Sequence, residues 1–246
     1  MFGFAMIEDT YQILKQIKQS PKFTEGFNTS VKGCRCERCV ISRYRHTSDP
    51  ELIDTSHSYW QYLSYCISQV SLNGLWLEFG VGKGSTIDFI AGKAHGRKVI
   101  GFDSFEGYPE DWKMSDTLSY LQGEQTLNGT MPPLKSRNVV LVRGRFEDTL
   151  PDFLARNNSS ICAFVHIDCA LYSSTLFVLE SLHQHKKLVK GTVLLFDELY
   201  NYQYFYEHEF RAFSEFFSKS GLAYEWLAHT ESPVVWNGNQ AAIVIR

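Results

Sequence analysis

The sequence predicts an α/β fold, with one mostly parallel sheet covered by helices on both faces. Strand and helix patterns alternate from residue 75 onward. Near-continuous apolar runs such as Val193-Leu194-Leu195-Phe196 suit strands buried on both sides. The last two strand patterns, 223–227 and 241–245, have no helix between them, so they pair antiparallel at an edge.

The elements follow in order. Residues 7–18 place Ile7, Tyr11, Leu14 and Ile17 at helical spacing, which predicts an opening amphipathic helix. Residues 20–55 dissolve into Gly, Ser, Thr, Asn and Cys and read as an irregular arm or lid. A helical run over 57–70 closes at Asn73 and Gly74. Then come a strand at 75–79, a helix at 84–94, a strand at 98–102, a long loop, and strands at 139–142 and 161–167. A helix at 174–184, a strand at 192–196 and a helix at 206–218 precede the final pair. The chain divides into an N-terminal helix and cysteine-containing arm, 1–56, and a main domain, 57–246.

A chain of 246 residues with 44% hydrophobic content can bury one substantial core. Its 24 basic and 27 acidic residues form no long basic block, which argues against a nucleic-acid track and for a small-molecule partner. No basic region precedes the apolar start and no run of about 18 apolar residues occurs, so neither a secretory signal nor a membrane span is expected. The reading is a cytoplasmic protein with its six cysteines reduced. The sequons at Asn28, Asn128 and Asn158 read as chance matches. Aromatic residues make up 15% of the chain and concentrate at 59–65 and 200–217, as core packing or as pocket walls.

The first strand runs into Glu78-Phe79-Gly80-Val81-Gly82-Lys83-Gly84-Ser85-Thr86, a glycine-rich turn that opens a helix. Glycine lets a backbone approach a ligand closely. A dinucleotide fingerprint needs glycine where Ser85 stands, and the spacing of a phosphate-binding P-loop is absent. An acid two positions before a Gly-x-Gly turn resembles the first motif of class I S-adenosylmethionine-dependent methyltransferases. The resemblance implies a Rossmann-like sheet, mostly parallel with an antiparallel edge strand. It also implies that Glu78, Gly80, Gly82, Gly84, Ser85 and Thr86 hold the amino-acid and sulfonium end of S-adenosylmethionine. The next strand leads to Asp103, 21 residues beyond Gly82, followed by Ser104; a carboxylate there can accept both hydrogen bonds of a ribose diol.

Further segments sharpen the likeness. Gly101-Phe102-Asp103-Ser104-Phe105-Glu106-Gly107-Tyr108-Pro109-Glu110, Phe146-Glu147-Asp148-Thr149-Leu150-Pro151, His166-Ile167-Asp168 with Leu171-Tyr172-Ser173-Ser174-Thr175, and Phe196-Asp197-Glu198 together resemble macrocin and mycinamicin O-methyltransferases. That family methylates sugar hydroxyls of bacterial natural products, and the resemblance implies a divalent metal, usually magnesium. The residues point the same way. Asp168 ends one strand and Asp197 with Glu198 ends the next, so three hard oxygen donors should converge on one sheet edge.

The sequence departs from these relatives where a second aspartate usually follows the first by two positions, because Ala170 stands there. Asp168, His166 or Glu198, or His57 from the lid, would then take the acceptor's proton, unless a metal-bound oxygen or an acidic acceptor suffices. Cys34, Cys36 and Cys39 form a half zinc knuckle that Cys66, His46 or His57 could complete. The opening helix and arm could cover a neighbouring subunit's pocket in a homodimer. The leading expectation is a magnesium-assisted O-methyltransferase of a glycosylated or polyhydroxylated small molecule. Rival readings are a cofactor-binding scaffold that no longer methylates, and an enzyme of the same fold doing N-methylation or other sulfonium chemistry.

Overall fold

A computed structural model describes residues 2–24, 58–231 and 238–246 of the chain. Its elements are α1 (Phe2–Ile17), β1 (Lys22–Thr24), α2 (Ser58–Ser68), β2 (Leu75–Phe79), α3 (Ser85–Lys93), β3 (Val99–Asp103), β4 (Trp112–Lys113), β5 (Ser119–Tyr120) and β6 (Val139–Arg143). They continue with α4 (Phe146–Arg156), β7 (Cys162–Ile167), α5 (Tyr172–Gln184), β8 (Val193–Tyr200), α6 (Glu209–Ser220), β9 (Tyr224–Glu231) and β10 (Asn239–Ile245). The Cys34, Cys36 and Cys39 cluster, with His46 and His57, lies outside the described residues. Cys66, Cys162 and Cys169 are buried and unbridged.

Eight strands form one sheet in the order β1-β9-β10-β8-β7-β2-β3-β6. Only β10 runs against the others, pairing antiparallel with both β8 and β9. Strand order reverses between β2 and β7, and in doubly wound sheets the crevice at the carboxyl ends of such a pair takes the ligand. Two apolar layers clothe the sheet. Leu77, Phe79, Val165, Ile167, Leu194 and Phe196 face α4, α5 and α6, while Trp76, Phe164, Val193 and Leu195 face α2 and α3. This is the period-two alternation of a pleated strand, applied to strands buried on both sides.

Several expectations are corrected. The helix α4 was not foreseen, because Pro151 interrupts it. Phe146, Leu150, Phe153 and Leu154 nevertheless fall on one face, and Leu150 and Leu154 are fully buried, which offsets the hydrogen bond that proline removes. Strand β8 runs to Tyr200, so Asp197 and Glu198 lie inside it rather than at its end. In α1, Tyr11 is 61% exposed, and Ile13, Leu14 and Ile17 make the packing stripe instead. Residues 22–24 pair in parallel with β9, so the start of the chain extends the sheet. No helix among the described residues is long and apolar enough to cross a membrane.

A buried lysine closes α4. The Lys187 ammonium donates to the carbonyls of Asn157, Asn158 and Ser160, at 2.5, 3.0 and 2.9 Å. It thereby bonds the carbonyl of the C-cap residue Asn157 and two in the turn beyond it, with a charge that suits the helix dipole. Replacing it by methionine keeps the apolar stem and strands those acceptors. Lys187→Met is expected to lower the unfolding free energy by about 2–3 kcal/mol, read from urea denaturation; an unchanged midpoint would remove this role.

Candidate active site

The site grows out of strand parity. Glu78 and His166 are register partners on β2 and β7, and Leu195 is the next partner across on β8. All three lie on the α2 side of the sheet, and Asp197, two residues past Leu195, follows on that side. The result is a buried row. His166 Nδ1 is 3.0 Å from Glu78 Oε1, and its Nε2 is 3.5 Å from Asp197 Oδ1. Tyr59, from α2, hydrogen-bonds Asp197 as well.

Burial opposes charge on His166, but the carboxylates of Asp197 and Glu78, which face its two ring nitrogens as acceptors, outweigh it and raise its pKa to about 10. The ring is an imidazolium between two carboxylates. Burial raises the pKa of Glu78, and His166 pulls it down without cancelling that effect. Glu78 is fully buried, and its Oε2 has no hydrogen-bond partner among the described residues. An open acceptor at that depth is what a donor from a bound ligand would satisfy.

The glycine turn lies beside this row. Gly80 has φ of +91°, and a Cβ there would stand 1.9 Å from the Asp168 carbonyl oxygen, so the loops after β2 and β7 touch backbone to backbone. Gly84 caps α3 in the left-handed conformation, with Ser85 and Thr86 half-buried in the first turn. Asp103 holds the loop in place. Its Oδ2 accepts the amides of Val81 and Gly82, at 2.9 and 2.7 Å, and its Oδ1 accepts that of Phe105 at 2.7 Å. A ribose diol expected at Asp103 would therefore share oxygens already bonded to three amides. Beyond it a cleft of about 430 Å³ opens, lined by Ser104, Asn128, Arg143, Arg145 and Asp148 among others. Ser104 and Asp148 fall in motifs quoted from the sequence, whereas Arg143 and Arg145 carried no such signal, although their place after β6 follows from the carboxyl-end rule.

On the other side of the turn, Asp168, Asp197 and Glu198 are half-buried, and each offers a carboxylate oxygen within 4.8 Å of the others. Burial, then the charges of Asp197 and Glu198, push the Asp168 carboxyl well above its usual range. Three oxygen donors at this separation fit a hard divalent cation. Ala170 has φ of +58° and packs among Trp112, Leu171 and Tyr202, so no proton acceptor stands at that position.

Residues 77–199, half of the chain, match the protein family described as Methyltransferase domain. The chain belongs to that family and is a methyltransferase. Its fold is shared with a crystal structure of CalS11, a calicheamicin methyltransferase, at 22% identity and a TM-score of 0.59, covering 97% of this chain and 91% of that one. An apo structure of CalS11, described as a TDP-rhamnose 3'-O-methyltransferase of calicheamicin biosynthesis, aligns at 22% identity and a TM-score of 0.53, covering 97% and 93%. No curated protein matches the sequence.

Removing the imidazole would leave the buried Glu78 carboxylate and the half-buried Asp197 carboxylate facing each other. His166→Phe is expected to cost about 3–5 kcal/mol of folding stability in chemical denaturation, and a variant as stable as the parent would show that the bridge carries no charge.

Proposed function

We propose that this methyltransferase binds S-adenosylmethionine at the β2–β7 switch point and moves its methyl group to a hydroxyl oxygen of a small molecule, assisted by a divalent cation, magnesium by its donor set. The observation that carries the reading is the contact of the Gly80 turn with Asp168, which sets a nucleotide-type loop and a carboxylate triad side by side. The motifs in 101–110, 146–151, 166–175 and 196–198 support a macrocin- and mycinamicin-type enzyme, and a sugar-bearing acceptor is consistent with the description of the CalS11 neighbour.

The residues divide the work. Glu78 offers its open Oε2 to the amino group of the cofactor, the Gly80–Gly84 backbone lies against its amino-acid end, and the cleft beyond Ser104 takes the nucleoside. When bound, the cofactor supplies the methyl group from its sulfonium. Asp168, Asp197 and Glu198 would hold the cation, which supplies Lewis-acid polarisation of the acceptor oxygens. The acceptor hydroxyl must be aligned and must lose its proton. His166, whose proton affinity its two acidic neighbours raise, is assigned to orient Asp197. The role of base is assigned to Asp168, whose backbone abuts the Gly80 turn against which the methyl donor would lie. Most of the arm expected over residues 20–55 lies outside the described residues.

Titration calorimetry with S-adenosylmethionine tests the core of the reading: saturable one-to-one binding is expected, and no heat at millimolar cofactor would sink it. Asp168→Ala should keep that binding while turnover falls by roughly 10²–10⁴-fold; full turnover would remove Asp168 from the chemistry.

A further inference from the structure

The sheet cannot satisfy its own backbone where the triad sits. β7 stops pairing with β8 at Ile167 and Phe196, and on the other side the ladder with β10 is irregular between Asn239, opposite Tyr200, and Ala241, opposite Phe196. Asp197 and Glu198 fall in that gap. Every buried N–H and carbonyl must find a partner somewhere. Two side chains stand in for the missing strand. Gln240 Nε2 donates to the Asp197 carbonyl at 2.9 Å, and Glu209 Oε2 accepts the Glu198 N–H at 3.0 Å.

Glu209 is the first residue of α6 and is fully buried. An acid in a first helical turn is favoured by the helix dipole, but it ordinarily gains this facing water. Here the carboxylate is turned into the strand end beside two further acids. Its second oxygen, Oε1, has no hydrogen-bond partner among the described residues. A fully buried carboxylate with one oxygen unpaired is costly to fold, so the placement works against stability. An arrangement that costs stability and sits against a candidate site is one kept for the site.

We propose that Glu209 is a positioning residue for the divalent-cation site: by gripping the Glu198 N–H it fixes the end of β8 so that the Glu198 carboxylate meets those of Asp168 and Asp197. Asp197 is held from its own side by His166 and Tyr59; Glu198 is held through its backbone by Glu209. The grip needs an acceptor oxygen at this place, not a negative charge, so glutamine can supply it and leucine cannot.

This inference rests on the cation reading given above, and the test separates the two. Manganese(II) binding is followed by the loss of its free-ion EPR signal in the wild type, Glu209→Gln and Glu209→Leu, with S-adenosylhomocysteine binding measured in parallel by calorimetry. The expected result is wild-type manganese affinity, within about threefold, for Glu209→Gln, and a loss of roughly 10–100-fold for Glu209→Leu with nucleotide affinity unchanged. Undiminished manganese affinity in Glu209→Leu overturns the proposal, as does parallel loss of both ligands, which would mark a general packing role. If the leucine variant does not fold, Glu209→Gln decides, since a tenfold or larger loss there would show that charge and not the grip matters. A wild type that binds no manganese overturns the cation reading itself, and this inference with it.

Discussion

A single imidazolium between the buried Glu78 carboxylate and the half-buried Asp197 carboxylate holds together the part of the sheet on which everything else at this edge depends. His166 stands on the central strand β7, with Glu78 on one neighbour and Asp197 on the other. In a low-dielectric interior neither acid would keep its charge alone, and together they would repel. One cation answers both, and it does so only because all three side chains leave the same face of adjacent strands. The register between β2 and β7 is therefore fixed by electrostatics as well as by apolar packing: a slip of one residue would send His166 to the α5 side and leave two acids behind.

That constraint also explains how two functions share so little space. Glu78 precedes the glycine turn, whereas Asp197 belongs to the carboxylate triad, and the same ring lies 3.0 Å from one and 3.5 Å from the other. The loops after β2 and β7 meet with no side chain between them, since Gly80 leaves no room for one against Asp168. Asp103 closes the opposite flank by collecting three amides. The crevice is thus framed mostly by backbone, which is stiffer than side chains.

Much of this was legible in the sequence because it follows from periodicity. The parallel sheet, the reversed strand near the C-terminus, the glycine turn and the three converging acids are all products of local pattern and strand order. What escaped depends on contacts between distant residues. The helix α4 was hidden by Pro151, whose cost only the burial of Leu150 and Leu154 offsets. The last four residues of β8 were hidden because polar residues ordinarily end a buried strand; here Glu209 and Gln240, from other elements, replace the ladder. His166 read as a histidine in an apolar strand, and nothing local announces that both of its nitrogens face acids. Asp103 had the right spacing for a sugar diol, but its three amide partners belong to loop conformation.

The short strand β1 brings a different consequence. Lys22 pairs with His229, so the beginning of the chain is sewn to its far end, and Ser20 adds a hydrogen bond to the same histidine at 2.9 Å. During synthesis the first two dozen residues emerge long before β9 exists, and they cannot dock until it has been made. Contacts of such wide separation form late and slowly. A segment translated well before β9 is thus among the last to be folded, and until then the β9 side of the sheet is an open edge that a nascent chain must keep from its neighbours.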